Sequence, residues 1–389
     1  MNLLGTETAF EVLAEVNKLK AAGKDVISFA IGEPDFDTPS NIIKEGVKAL
    51  QEGFTHYGPS AGLLPLRESI ARYISHTRGI PVSSEEIVVT PGAKPIIFYS
   101  ILACINEGDE VIYPNPGFPI YESVINFVGA KAVPLPLLEK KNFSFAIDML
   151  KDKITNKTRM IIINSPQNPT GGVLTEQDLK EIAKLAQQNN LWVLSDEIYS
   201  HMVYDGEFSS IVSLPGMKER TILLDGFSKT YAMTGWRLGF GVMNTQLAPH
   251  FARLETNSVS CTATFTQLAG IEALEGPQEE SQAMIREFKS RRDIVVEALN
   301  DIDGITCKKP GGAFYVFPNV TEVCRRLNLR DSKELQKYLL YEAGVAILAR
   351  TCFGRRNQEE DQEYIRLSYA TSRENIREGV RRIKEAVEK

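Results

Sequence analysis

Four polar clusters punctuate this sequence, each directly after a short apolar run. Ile87-Val88-Val89-Thr90 leads into Pro91-Gly92-Ala93-Lys94, and Arg159 to Asn164 into Ser165-Pro166-Gln167-Asn168-Pro169-Thr170-Gly171. Leu191 to Ser195 is followed by Asp196-Glu197-Ile198-Tyr199, and Thr221 to Asp225 by Gly226-Phe227-Ser228-Lys229. Lys229, among Ser228, Thr230 and Tyr231 and with Arg237 further along, is an amine set at the lip of a crevice. Near other cations that lower its pKa, such an amine suits imine chemistry with a carbonyl. Gly92-Ala93-Lys94 at a helix start would leave backbone N–H groups unpaired at the positive end of the helix dipole, which suits a phosphate. The same residues also make an ordinary tight turn, so the spacing leaves both readings open. Neither GxGxxG nor GxxxxGK[ST] follows a strand, which disfavours a dinucleotide fold and a P-loop.

The elements that must position these groups follow from periodicity. Apolar residues at helical spacing (Phe10, Leu13, Val16, Leu19) with Gly23 beyond them predict a helix over 8–22. A short strand is expected at Val26 to Ala30, then a loop through Gly32 to Pro39. Between about 85 and 242, near-continuous apolar runs (87–90, 110–113, 131–135, 159–164, 191–195, 221–225) alternate with amphipathic stretches. This predicts an α/β fold: a three-layer large domain whose mostly parallel sheet is covered on both faces. In such a sheet ligands bind beyond the carboxyl ends of the strands, where all four clusters fall. The last hundred residues read as helices over about 282–300 and 373–388 around strands at 313–317, 345–348 and 364–368. They form a smaller α+β domain, so the division expected is 40–285 for the large domain and 1–39 with 286–389 for the small one.

At 389 residues with 43% hydrophobic and 24% charged residues, the chain has ordinary globular composition. A net charge of -6 argues against a nucleic-acid partner. The five cysteines are scattered and never in a CxxC pair, which indicates neither a disulfide framework nor a metal site and fits a reducing cytoplasm. No apolar stretch approaches the ~20 residues a membrane span needs.

Taken in order, Ser195 to Tyr199 (SDEIY), Asn164 to Gly171 (NSPQNPTG) and Asp225 to Phe240 (DGFSKTYAMTGWRLGF) resemble the signature segments of class I aminotransferases, the fold-type I pyridoxal-phosphate enzymes of aspartate and aromatic type. The similarity runs from Ile31-Gly32-Glu33-Pro34 to the segment Tyr364 to Ile376. Pyridoxal 5'-phosphate is therefore what the resemblance implies, not what spacing shows. By the same resemblance Lys229 would hold the cofactor as a Schiff base and serve as general base. Asp196 would pair with the pyridine nitrogen and keep it protonated. Tyr199 and Asn168 would hydrogen-bond the phenolic oxygen, and Phe118 would stack on the ring.

The phosphate would lie against Gly92, Ala93, Lys94 and Arg237, with Ser228 adding a hydroxyl. Some relatives have a serine three residues before the lysine where this chain has Gly226, which weakens the hydroxyl's case. Tyr57 matches a tyrosine that reaches the neighbouring subunit's phosphate, implying a homodimer with shared sites. Arg366, set in an otherwise apolar strand, would grip the substrate α-carboxylate, with Gly32 approaching it through its backbone. The expected reaction is ping-pong transfer of an amino group from an L-amino acid, aspartate or an aromatic one first, to a 2-oxo acid such as 2-oxoglutarate. A carbon-sulfur β-lyase on the same scaffold is the alternative. Lys94 is left between two roles, phosphate or an acidic substrate side chain.

Overall fold

Alternation of apolar side chains decides which strands can be covered on both faces. The computed structural model describes residues 4–5, 8–358 and 360–388. Its strands, in chain order, are β1 (Ile27–Ser28), β2 (Ile87–Thr90), β3 (Glu110–Asn115), β4 (Lys131–Pro136), β5 (Thr158–Asn164) and β6 (Trp192–Asp196). They continue with β7 (Thr221–Gly226), β8 (Gly239–Val242), β9 (Tyr315–Val316), β10 (Val345–Ala346), β11 (Leu348–Ala349) and β12 (Ile365–Ser368). The helices are α1 (Thr8–Ala21), α2 (Ser40–Gln51), α3 (Leu64–Arg78), α4 (Lys94–Cys104), α5 (Ile120–Phe127), α6 (Ile147–Lys153) and α7 (Glu176–Gln188). After them come α8 (Ala248–Ser258), α9 (Thr264–Glu275), α10 (Glu279–Asn300), α11 (Thr321–Arg326), α12 (Ser332–Glu342) and α13 (Arg373–Val387).

Seven strands form the central sheet in the order β2-β8-β7-β6-β5-β3-β4. On β5, Ile161 and Ile163 enter a core with Leu66, Ile70 and Leu223, whereas Met160 and Ile162 enter the opposite one with Ile96, Val111 and Leu224. Period-two alternation thus feeds both faces, and helices cover each, giving the expected three layers. From β7 through β6, β5 and β3 to β4 every pairing is parallel. The departure is β8, antiparallel to both β7 and β2. The run Gly239-Phe240-Gly241-Val242 does not read as a strand because glycine has little strand propensity. Its glycines are demanded by packing: a Cβ at Gly239 would lie 2.3 Å from the Ala93 nitrogen, and one at Gly241 2.9 Å from Ile96 Cδ1.

The C-terminal third builds its own core from Phe288, Val295 and Leu299 of α10 and from Ile376, Val380 and Ile383 of α13, against Val316 and Leu367. The α13 residues recur at helical spacing on one face. Its strands pair as β11-β12-β9, antiparallel, while β1 joins β10 in parallel, with Ile27 opposite Val345. The N-terminal segment thus reaches this region through β1. The strands expected at 26–30, 313–317 and 345–348 are shorter or split, since a strand persists only where a neighbour supplies ladder partners, and β1 has two such rungs. α1 stops at Ala21, with Gly23 at φ +79° just beyond it.

Where α8 crosses α4, the Tyr99 hydroxyl donates to Glu255 Oε2 at 2.8 Å. Glu255 is fully buried, and burial pushes its carboxyl up to about 7. Between the ordinary carboxyl value of 4.5 and about 7 the folded state binds the extra proton. The stability this contributes is full below 4.5 and is lost as pH rises through 7. Replacing Glu255 by Gln is expected to flatten the fall in unfolding free energy across that window by on the order of 2 kcal/mol. Urea titrations at several pH values measure it; a wild-type slope in the variant would show that Glu255 does not titrate there.

Candidate active site

A cavity of about 450 Å³ opens at the carboxyl edge of β5, β6 and β7 and is roofed by residues of α1 and of the C-terminal third. Three of the four polar clusters meet in it through Asn164 and Asn168, Asp196 and Tyr199, and Ser228 and Lys229; Ala93 and Lys94 bring the fourth. Its charged lining is Lys94, Lys229, Arg237 and Arg366 against Glu33 and Asp196. Four cations against two carboxylates make it an anion-collecting cleft in a chain of net charge -6.

Asp196 ends β6 with 6% of its surface exposed. Its carboxylate accepts from the Tyr121 hydroxyl at 2.6 Å and from the Ile198 N–H at 3.3 Å. Burial raises its pKa to about 6, opposed by those two donors and by the Lys229 charge. Tyr121, three residues beyond Phe118 on the next helix, was not read as a partner of this acid; nothing short of the packing of α5 against β6 brings them together. Asn164, at the end of β5, stiffens the same corner: its Nδ2 donates to the Asp196 carbonyl at 3.1 Å and its Oδ1 accepts from the Asn168 N–H at 2.9 Å.

Lys229 lies three residues past β7, half-buried, with Nζ 2.5 Å from the Gly32 carbonyl. The rings of Tyr199 and Phe314 stand 5.9 and 5.7 Å from that nitrogen. Tyr199, buried, shares a 2.7 Å hydrogen bond with the Tyr315 hydroxyl, and burial raises its pKa well above the ordinary phenol value. A Cβ at Gly32 would fall 2.2 Å from the Tyr315 hydroxyl, so the glycine is what admits this tyrosine. Tyr315 lines the cavity and was missed by sequence reading, hidden in a strand whose neighbours are all apolar.

At the other end of the cavity Arg366 is 3% exposed on β12. Its Nη1 donates to Asn168 Oδ1 at 3.1 Å and its Nη2 to the Ala30 carbonyl. The rings of Tyr315 and Phe353 lie 4.5 and 4.9 Å from its Cζ. A buried guanidinium so held has its plane fixed, and a planar set of donors is the geometry that matches a carboxylate.

The anion end is built by close approach. Gly92 has φ +83°, and a Cβ there would lie 2.4 Å from Arg237 Nη2. Gly92 thus does not line the cavity; it makes room for the guanidinium that does. Arg237 itself adopts φ +55° and is tethered by Nη1 to the Thr234 carbonyl at 2.8 Å. α4 starts at Lys94 with Pro95 in its first turn, as the sequence indicates, and Lys94 Nζ stands 5.4 Å from the Phe118 ring centre. Besides Gly92, the expected site residue outside this cavity is Tyr57, 89% exposed on the loop after α2.

Known proteins carry the same framework. The chain is 40% identical over 381 residues to a probable aspartate/prephenate aminotransferase of Aquifex aeolicus, covering 97% of this chain and 95% of that one. It is 42% identical over 371 residues to an aspartate aminotransferase of Pyrococcus horikoshii, covering 94% and 91%. The crystal structure of an aromatic aminotransferase from Pyrococcus horikoshii superposes with a TM-score of 0.89 at 40% identity, over 96% of this chain and 98% of that one. A sequence model of the family aminotransferase class I and II matches residues 24–383, nearly the whole length over which strand ends, buried acid and lysine were found to converge, and the chain belongs to that family.

Proposed function

We propose that this aminotransferase binds pyridoxal 5'-phosphate in the cavity and uses it to pass an amino group from an L-amino acid to a 2-oxo acid. The observation that carries the reading is one cleft lined by a buried carboxylate, Asp196, by the amine Lys229 and by the buried fork of Arg366. The residues fit the cofactor: the Arg237 guanidinium, which Gly92 admits, and the Lys94 amine suit its phosphate, and an acid in a dry corner suits a protonated ring nitrogen. Ala93, Lys94, Ser228 and Arg237 would hold the phosphate, Asp196 the ring nitrogen, Tyr199 and Asn168 the phenolic oxygen, and Phe118 the ring face. When bound, the cofactor supplies an electron-accepting ring joined to the substrate nitrogen, so that the α-proton becomes acidic.

The protein's own part is positioning and proton transfer. Arg366 and Asn168 anchor the α-carboxylate, and Gly32 closes over it. Lys229 would be the residue that holds the cofactor, and its Nζ, once freed by the substrate amine, would take up and carry the substrate Cα proton. Because Nζ already donates to the Gly32 carbonyl, the loop carrying that glycine registers where the amine sits. Rings of Tyr199, Phe314 and Tyr315 exclude water from this side.

Aspartate and aromatic amino acids are the donors proposed, with 2-oxoglutarate as acceptor. Lys94, facing the cavity beside Phe118, offers a charge for a second carboxylate and a ring for an aromatic side chain. The carbon-sulfur β-lyase alternative draws no support from the relatives named above. A homodimer in the cytoplasm completes the proposal. Ile43, Val47 and Leu50 on α2 and Phe54 just after it expose an apolar stripe at helical spacing. A second copy would cover it and receive Tyr57 at the open, Arg237 end of its cavity. No helix among the described residues is long and apolar enough to cross a membrane. In domain terms, 40–285 would form the body and the N-terminal segment with 286 onward the smaller unit, α10 running across the boundary as a continuous rod.

A donor screen against 2-oxoglutarate tests the reaction: aspartate and aromatic amino acids are expected to be consumed with glutamate formed, and release of ammonia without an acceptor would sink it. The anchor is tested by Lys229→Ala, expected to lose the borohydride-trapped cofactor and nearly all turnover; trapping at a different lysine would move the site. Asp196 must be ionised to pair with the ring nitrogen, and removing the Tyr121 donor disfavours the ionised form. Tyr121→Phe is therefore expected to retain the cofactor about tenfold less tightly. The deficit should grow as pH falls through about 6, followed by visible absorbance on dialysis. Equal retention at every pH would show that Tyr121 does not support the acid.

A further inference from the structure

We propose that Arg350 is a positioning residue for the carboxylate clamp, setting where Phe353 and Arg366 stand relative to the turn that carries Phe118. This rests on the reading of Arg366 as the substrate-carboxylate site. Arg350 is fully buried, in the one-turn helix that follows β11, yet it touches neither the cavity nor any group assigned above. A guanidinium there is kept only because its donors are saturated. Nε and Nη2 grip the two oxygens of Glu360 at 2.5 and 2.8 Å, Nη2 also reaches Asn115 Oδ1 at 3.1 Å, and Nη1 donates to the Gly354 carbonyl at 3.1 Å.

Asn115 is the last residue of β3, in the central sheet, whereas Arg350 and Glu360 belong to the C-terminal third. Two further bonds lie alongside: Asn115 Nδ2 donates to the Arg355 carbonyl at 2.8 Å, and the Gly117 N–H donates to the Phe353 carbonyl at 3.0 Å. Gly354, at φ +105°, lets this backbone come close enough, since a Cβ there would stand 2.8 Å from Asn115 Oδ1. The fastening therefore has two ends, both at the cavity. One is Phe353, which lines the cavity and lies 4.9 Å from Arg366 Cζ; the other is the Asn115 to Phe118 turn. Displacing Phe353 removes one of the two rings against which the Arg366 guanidinium is oriented and leaves the other, Tyr315, tied to Tyr199. The expected loss is thus in gripping carboxylates, with the proton-transferring corner around Lys229 and Asp196 left in place.

The test uses the holoenzyme and maleate, an unreactive dicarboxylate. In Arg350→Met, which keeps the volume but not the fork, KM for donor and acceptor and the Kd for maleate are expected to rise together by about tenfold. Over the same change kcat should move less than about threefold and the visible spectrum should not shift. Arg350→Lys, which keeps the charge without the fork, should rescue only part of the loss. Unchanged KM and maleate affinity in folded Arg350→Met, or a fall confined to kcat, overturns the proposal. Should Arg350→Met fail to fold, Glu360→Gln replaces it, with the same direction expected at smaller size and no change in KM counting against the proposal. Arg366→Lys separates the two readings: if it binds maleate like the parent, the carboxylate assignment itself fails. If it binds poorly while Arg350→Met binds normally, only the positioning role fails.

Discussion

A carboxylate removed from water at the end of β6 sets the terms for everything around it. With 6% of its surface exposed, Asp196 is raised to about 6 by desolvation, and the ionised form survives near neutrality only through groups that favour charge. The protein supplies a short hydrogen bond from Tyr121, a backbone N–H from Ile198 and the nearby charge of Lys229. None of these is a direct ion pair, so the acid is left poised to take a cationic partner. A ligand bearing a protonated nitrogen would relieve the tension that burial creates, which is how a cost in folding becomes selectivity in binding.

The same logic of closeness governs the rest of the cavity. Gly92 exists to admit a guanidinium, Gly32 to admit the Tyr315 hydroxyl, and Gly239 to let β8 pack on the turn before α4. At each of these positions a Cβ would stand between 2.2 and 2.4 Å from the atom it faces, so an alanine would force a shift. The cations are likewise spread to the two ends of the cleft, Arg237 and Lys94 at one and Arg366 at the other. A molecule with an anion at each end is thereby oriented before any chemistry begins.

The cavity is lined both by residues at the strand ends of the central sheet and by Leu348, Phe353 and Arg366 of the C-terminal third. Arg366 comes from β12, Asp196 from β6 and Gly32 from the segment leading away from β1. Their relation depends on bonds between these parts, such as Lys229 Nζ to the Gly32 carbonyl, Arg366 to Asn168, and the Arg350 fastening onto Asn115. Precision in such a site is a property of these few contacts rather than of either core.

Local pattern determined a good deal by itself. Apolar runs such as Met160 to Ile163 announced buried parallel strands, because strand burial is written in consecutive residues, and the polar clusters after them announced the edge at which ligands gather. Lys229, Asp196, Tyr199, Asn168, Arg237 and Arg366 all belong to contiguous segments that carry the resemblance to class I aminotransferases, and the structure brings them to one cavity. What stayed illegible were relations between segments far apart in the chain. Tyr121 meets Asp196 across 75 residues and Arg350 meets Asn115 across 235, and no periodicity encodes such a meeting. The antiparallel strand β8 was invisible for a related reason, since its glycines answer to the backbone of Ala93 rather than to strand propensity. Side-chain type and local period depend on neighbours along the chain, and these the sequence alone determined; which distant groups come within 3 Å depends on how cores pack, and that only the tertiary structure decided.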